Sequence, residues 1–518
     1  MAEHDTLTAT STNAARRLSF SSTGQSNGRD NALEGHGSSV GEAIFNVTNG
    51  IVGAGAIGLG GAIASSGGLI SVFFIIVFAV MNKLSLDIII TLTVQTEGAK
   101  GSYEQLGWIA YGFAGKAAVL LSKSLYSFGC LVAYIIVIRD NFGSGTRNLI
   151  FGGDTHSPPS EFVAWSLSTG EQHISRLELF LEHDGFLTFV LSATIILPLC
   201  LLRDMTPLAR FSVVSVLSMV AIVLIVIGIY VMNPGGDTRE AGGTIFEKWF
   251  EVRSGLLESL GTFVFAFVSQ NTAHLAYESL DPAVRSVKSW KLISLCAVSI
   301  SAMVSLSVGV CVYMTFWEHT ESDIFQIYPS SNAIDAAKIL LCITMMLTFP
   351  LPFFTTREMI ILVLSGNGRS GEEMSVDEET PDLKISLLAE EFGSGEEAIT
   401  ETDPFGEEAD VIVVESQKSW LLPGEERQLS LPFHVLLTIL LWATTTVLAI
   451  VAPSLGDVLD LVGCASGAVI ALILPALFSL KLTGYSHLAA FILTIGGVVG
   501  VIGTFFSVKK LVTDLETP

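Results

Sequence analysis

Residues able to do chemistry sit in three polar interruptions of otherwise apolar stretches. The first is Asn49-Gly50-Ile51-Val52-Gly53-Ala54-Gly55, inside an uncharged run from Ala43 to Asn82 that carries eight glycines between Gly50 and Gly68. Glycine costs roughly 1 kcal/mol relative to alanine in a helix interior, so a span that accepts so many is expected to break. A break frees backbone N–H groups at Gly53, Ala54 and Gly55. With the positive end of a half-helix behind them, such groups suit a carboxylate. The carbonyls freed on the other side, Val52 among them, suit a cation such as Na+, and Asn49, one turn earlier, adds a neutral oxygen. The competing reading is that the glycines only let helices approach closely.

The second interruption is Ser269-Gln270-Asn271-Thr272, which follows the aromatic run from Phe263 to Phe267. Polar side chains at membrane depth are costly unless they face a bundle interior or water, so these four are candidates to face a solute. Interhelical hydrogen bonding is the alternative. His274, just beyond, either carries a proton or packs as a hydrogen-bonded ring. The third interruption is Thr344 to Pro352. Pro350 and Pro352 lack an N–H and should kink a helix, and the hydroxyls of Thr344 and Thr348, one turn apart, share a face that could look toward the first span. Such hydroxyls otherwise bond their own backbone. Lys83 and Asp87 are spaced i,i+4 and are expected to pair; unpaired, Lys83 would be a fixed charge near a coupling site.

The elements that must position these residues are membrane helices. Half of the 518 residues are apolar, 15% are charged, and the mean hydropathy is +0.59. Windows of about twenty residues give roughly eleven apolar segments. They lie near 44–66, 69–94, 117–138, 186–202, 208–232, 255–279, 291–316, 333–361, 432–452, 457–480 and 486–508. An all-α integral membrane protein follows, with interrupted first and sixth helices. Two breaks at matching positions are what a five-plus-five inverted repeat requires. Lys and Arg near the span ends favour a cytoplasmic N-terminus.

Between the eighth and ninth segments, residues 366–430 hold 18 acidic residues against 4 basic ones. That balance is expected of a solvated, disordered cytoplasmic loop, with a regulatory partner as the alternative. Residues 1–42 read as a disordered cytoplasmic tail, 43–365 as helices 1–8, 431–508 as helices 9–11, and 509–518 as a short C-terminal tail. The net charge of −23 speaks against nucleic acid as a partner, and a lipid bilayer is the expected surroundings. The six cysteines fall in apolar segments without zinc spacing, so no disulfide is expected. No nucleophile–base arrangement and no repeated filter sequence is visible, so neither an enzyme nor a channel is expected.

These segments resemble the amino acid/auxin permease family, in particular its sodium-coupled neutral amino acid transporter (solute carrier family 38-like) and vacuolar amino acid transporter branches. Asn49 to Leu59 resembles that family's N-x-x-x-G-x-G-x-x-G-L. Ser102-Tyr103, Ala110-Tyr111-Gly112 and Tyr126 to Asp140 are similar to its loop and third span. Phe265-Ala266-Phe267-Val268 with Tyr277 and Asp281-Pro282 resembles the sixth span. Leu347-Thr348-Phe349-Pro350 with Arg357-Glu358 resembles the eighth, and Asp457 to Gly463 with Ile473-Leu474-Pro475 the tenth. The chain departs at Gly60, where many relatives have proline, and at Ser269-Gln270, where they commonly have Cys-His.

The resemblance implies a LeuT-like fold of two inverted five-helix repeats plus an eleventh helix, with the solute between the first and sixth. It also implies a small neutral α-amino acid as substrate, Na+ or H+ as coupling ion and no further cofactor. Asn49 and Thr348 match the family's cation ligands, with Thr344 as the second choice. The expected function is secondary active transport by alternating access, Na+ favoured, in a plasma or a vacuolar or lysosomal membrane. The alternatives are a proton-coupled vacuolar transporter and a non-transporting amino acid sensor signalling through its tail and acidic loop.

Overall fold

The computed structural model describes residues 37–96, 101–151, 184–202, 212–232, 245–365, 421–422, 425–429 and 431–516. Nearly all of them are helical. The chain runs through α1 (Val40–Ile51), α2 (Ala54–Ser66), α3 (Gly68–Thr96), α4 (Tyr103–Phe151), α5 (Gly185–Leu201), α6 (Ser212–Met232) and α7 (Ile245–Phe250). Then come α8 (Leu260–Phe265), α9 (Gln270–Glu278), α10 (Val287–Phe316), α11 (Ile324–Ile327), α12 (Asn332–Thr348) and α13 (Pro350–Ser365). After a short antiparallel hairpin, β1 (Leu421–Leu422) with β2 (Glu425–Leu429), come α14 (Leu431–Val451), α15 (Leu455–Leu482) and α16 (His487–Glu516).

Among the described residues, eight helices are long and apolar enough to cross a membrane, and the bent pair α1–α2 makes a ninth. This shows a multi-pass membrane protein and does not establish the expected count of eleven. The fourth expected segment is the shorter helix α5, and the sixth is divided between α8 and α9. The acidic loop lies outside the described residues except for the hairpin at its end.

Two of the expected boundaries shift. Helix α1 starts at Val40, not after residue 42, because Ser39 and Glu42 close a capping box, Ser39 N–H donating to Glu42 at 2.8 Å and Glu42 N–H to Ser39 Oγ at 3.3 Å. Helix α16 continues through Glu516, so residues 509–516 belong to the last helix. The charges at Lys509 and Lys510 look like the end of an apolar segment, yet Lys510 is paired with carboxylates of α15.

Helix α2 occupies the centre. Apart from Ser65 it is buried along its whole length, among α3, α8, α10 and α15. Helix α1, by contrast, buries only Ala43, Val47 and Ile51, one stripe at i, i+4 and i+8. Helix α4 is kinked at Tyr111 and Gly112, whose φ of 61° is a left-handed conformation suited to glycine. Its long arm packs against α12, α13, α14 and α15. Pro350 and Pro352 interrupt the helical hydrogen bonds between α12 and α13, but the backbone at Phe349 stays helical. The expected kink is therefore mild, and the two run as one apolar helix from Asn332 to Leu362.

Candidate functional site

The first break falls at Val52 and Gly53, where α1 and α2 meet at 51°. A continuous helix would bond Gly53 to Asn49, Ala54 to Gly50 and Gly55 to Ile51. None of these three hydrogen bonds forms; the ladder stops at Val52 N–H to Thr48 O (2.9 Å) and resumes with Ala56 N–H to Gly53 O (3.1 Å). The four carbonyls of Asn49 to Val52 and the three N–H groups of Gly53, Ala54 and Gly55 are thereby released side by side. The side-chain amide of Asn49 makes no hydrogen bond among the described residues either.

Most of the glycines have a different reason. A Cβ on Gly55 would lie 2.6 Å from Ala266 Cα, and one on Gly61 would lie 2.7 Å from Ser322 Cα. Those positions are glycine because backbone from α8 and from the segment before α11 presses on α2. The close-packing reading holds there, while Gly53 itself is open, its nearest neighbour being the Tyr134 hydroxyl at 3.8 Å.

The second break runs from Ala266 to Ser269, between α8 and α9. Helix α4 faces it with Tyr126, which donates to Phe265 O (3.2 Å), and with Ser127, which accepts from the Asn271 amide (3.3 Å). The Asn271 carbonyl oxygen is buried with no partner among the described residues, leaving one acceptor open beside the break. Thr272 Oγ1 would lie 3.3 Å from a Cβ on Gly50, so α9 meets α1 there.

Ser269 and Gln270 are engaged elsewhere. Gln270 is fully buried and donates to Asn82 Oδ1 (2.7 Å) and Ser85 Oγ (3.3 Å) on α3, and Asn82 donates to Ser269 Oγ (3.5 Å). These two side chains bind α9 to α3, the interhelical role. Thr344 and Thr348 donate to the carbonyls of Leu340 (2.9 Å) and Thr344 (2.8 Å), which leaves lone pairs of both hydroxyl oxygens available. No hydrogen bond joins either threonine to the first break.

Lys83 pairs with Asp87 (2.5 Å), and Ser294 of α10 donates to the same carboxylate (2.7 Å). His274 lies 3.0 Å from Thr93 Oγ1 and stacks on Tyr103, whose ring centroid is 5.9 Å away. Lys123 pairs with Glu104 (2.5 Å).

The sequence reading passed over Asn82, Ser85, Ser127 and Tyr134 as site residues. One signal was available: Tyr126, Cys130 and Tyr134 repeat at i, i+4 and i+8 along an apolar span and therefore share the face that meets both breaks.

The half-helices are tied together in pairs at their far ends. Ser38 joins the end of α9, its N–H donating to Ser279 O (2.7 Å) and its carbonyl accepting from Asp281 N–H (3.1 Å). At the other end Ser66 Oγ lies 2.5 Å from Ser259 Oγ, and Arg253 donates to Ala64 O (2.7 Å). Beyond α2 is a cavity of about 260 Å³ lined by Gly61, Arg139, Asp140, Glu321, Asp323 and Ser454. Asp323, in the connection between α10 and α12, caps α11 through Phe325 N–H (3.0 Å) and accepts from the Asn141 amide. Burial, and next the like charge of Asp140, push Asp323 up to about 7, against the hydrogen bonds and Lys338.

Comparison with known proteins bears on what two facing breaks do. The chain is 24% identical over 347 residues to a rat protein named putative sodium-coupled neutral amino acid transporter 11, covering 66% of this chain and 70% of that one. It is 22% identical over 463 residues to the zebrafish sodium-coupled neutral amino acid symporter 2, covering 86% and 75%. The family model described as transmembrane amino acid transporter protein matches residues 36–513. With its apolar helices and its match over nearly the whole length, the chain belongs to this family of transmembrane amino acid transporters.

Proposed function

We propose that the chain is an ion-coupled secondary transporter of small neutral amino acids, with Na+ as the favoured coupling ion, working by alternating access. The observation that carries this reading is the loss of three consecutive helical hydrogen bonds at the first break, opposite the second break. The N–H groups of Gly53, Ala54 and Gly55 receive the substrate carboxylate at the positive end of α2. Asn271 and Thr272, at the start of α9, face its amine and side chain, and the open Asn271 carbonyl oxygen accepts from the ammonium. Ser269 and Gln270 hold the backbone of that wall through α3.

Na+ is transported cargo here, and the groups present suit it: the Asn49 amide oxygen, the carbonyl of Val52 and the hydroxyl oxygens of Thr344 and Thr348 are neutral oxygen ligands. The names of the relatives agree with sodium as the ion. In this conformation α2 is sealed from the far side by the segment around Ser322, while Gly50 and Thr272 are exposed. That asymmetry fits one state of an alternating cycle within a LeuT-like pair of five-helix repeats. The Lys and Arg distribution favours a cytoplasmic N-terminus.

Purified protein in liposomes, offered a panel of labelled amino acids, is expected to take up L-alanine or L-glutamine faster with an inward Na+ gradient than without it. Uptake that ignores Na+ and follows a pH gradient through His274 would support the proton-coupled alternative. Binding without uptake would support the sensor.

A further inference from the structure

The last two helices carry a buried ionic cluster that neither break uses. Asp460, one turn into α15, accepts from Thr262 N–H (2.9 Å) and from Thr262 Oγ1 (2.6 Å) with the same oxygen. Thr262 belongs to the first turn of α8, whose N–H groups have no partner within the helix, so Asp460 serves as a cap supplied from another element. Gly261 and Gly463 allow this approach: a Cβ on either would lie 1.9 Å from a backbone oxygen of the other helix. The half-helix that ends at the second break is thus seated on α15 through one carboxylate.

That carboxylate needs a countercharge. Asp457 and Asp460 are 1% and 4% exposed at their side chains. The cation near them is Lys510 from α16, with Nζ 2.8 Å from Asp457 Oδ1 and 3.8 Å from Asp460 Oδ2. Ser454 caps the start of α15, accepting from Asp457 N–H (3.2 Å) and donating to the Asp457 carboxylate (2.7 Å). The other groups that act on the cluster are Asp514, one turn further along α16, and the Cys464 thiol of α15. Removing one partner of a buried ion pair is strongly destabilising because it leaves an uncompensated charge.

We propose that Asp460 and Lys510 are positioning residues for transport: Asp460 holds half-helix α8 against α15, and Lys510 is a built-in cation that compensates the carboxylates, so that α16 takes part in the cycle. The inference rests on the transport reading, because it assigns α8 a part in the movement.

The test is a charge-balance series in proteoliposomes, comparing wild type with Lys510→Arg, Lys510→Met and the double variant Asp457→Asn/Lys510→Met. Initial uptake of labelled L-glutamine and L-alanine is read over a range of concentrations, and thermal unfolding of the same samples is read without substrate. Lys510→Met is expected to lower the maximal rate by about tenfold or more with KM within about twofold, since it removes compensation and leaves the substrate site intact. Lys510→Arg is expected to keep most of the rate. The double variant, which restores the net charge of the cluster, is expected to recover about half of the wild-type rate or more.

Wild-type rates for Lys510→Met, or a double variant no better than Lys510→Met, would overturn the proposal. If the wild-type protein takes up neither amino acid, it is the transport reading that fails. The melting series then still decides the compensation: Lys510→Met must unfold earlier than wild type and the double variant must regain the difference.

Discussion

Gly55 and Ala266 touch backbone to backbone: a Cβ on Gly55 would stand 2.6 Å from the Cα of Ala266. The two breaks are therefore in direct contact, and Gly55 has no room to carry a side chain. Gly55→Ala forces the two half-helices apart, an overpacking that costs about 1–3 kcal/mol. We expect it to lower uptake by about tenfold or more and to lower the melting temperature. Gly53→Ala, whose Cβ would meet only the Tyr134 hydroxyl at 3.8 Å, is expected to keep its stability. A paired uptake and melting measurement on both variants checks this; equal behaviour would contradict it.

Gln270 and Asn82 give a second expectation. Gln270→Ala leaves Asn82 Oδ1 without its 2.7 Å donor in a buried interface. The cost is about 1–3 kcal/mol of stability. Because the side chain serves α3 and not the solute, KM for L-glutamine should change little, whereas Asn271→Ala should raise it. Titrating initial uptake rates for both variants separates the two roles.

How much of this was visible in the sequence depends on the range of the interaction. The break at Val52–Gly53 was legible because helix propensity and the absence of charge are local properties. The polar run at Ser269–Thr272 was legible for the same reason, but the direction of each side chain was not. Gln270 turns to α3 because Asn82 and Ser85, nearly two hundred positions earlier in the chain, complete its hydrogen bonds. The glycines of α2 left a helix break and close helix approach as competing readings, and only the packing of Ala266 and Ser322 shows that close approach explains most of them. Lys510 looked like the beginning of a tail because its partners lie on another helix.

Asp323 supplies a pH dependence outside the membrane spans. Its folded pKa is raised to about 7, whereas an unfolded aspartate titrates near about 3.9. Between those values the folded protein holds a proton that the unfolded chain has released. The stabilisation is present in full below about pH 4 and is lost as pH rises through about 7. Asp323→Asn keeps an oxygen to cap α11 and does not titrate, so its melting temperature should be flatter over that window and higher than wild type at pH 8. Parallel melting curves against pH for both proteins check the sign.

The central claim is that the oxygens released at the first break hold the ion that drives amino acid uptake. Its most direct test is the Na+ dependence of labelled L-glutamine uptake into proteoliposomes, for wild type and Asn49→Ala, at fixed pH on both sides. Asn49 is the one proposed ligand whose side chain is free of other hydrogen bonds among the described residues, so its loss should act on the ion first. The account predicts a wild-type rate that rises with an inward Na+ gradient, and a half-saturating Na+ concentration for Asn49→Ala raised about tenfold, the effect of losing one ligand worth about 1.4 kcal/mol. Identical Na+ dependence in the two proteins, or wild-type uptake unchanged in Na+-free buffer, would contradict it.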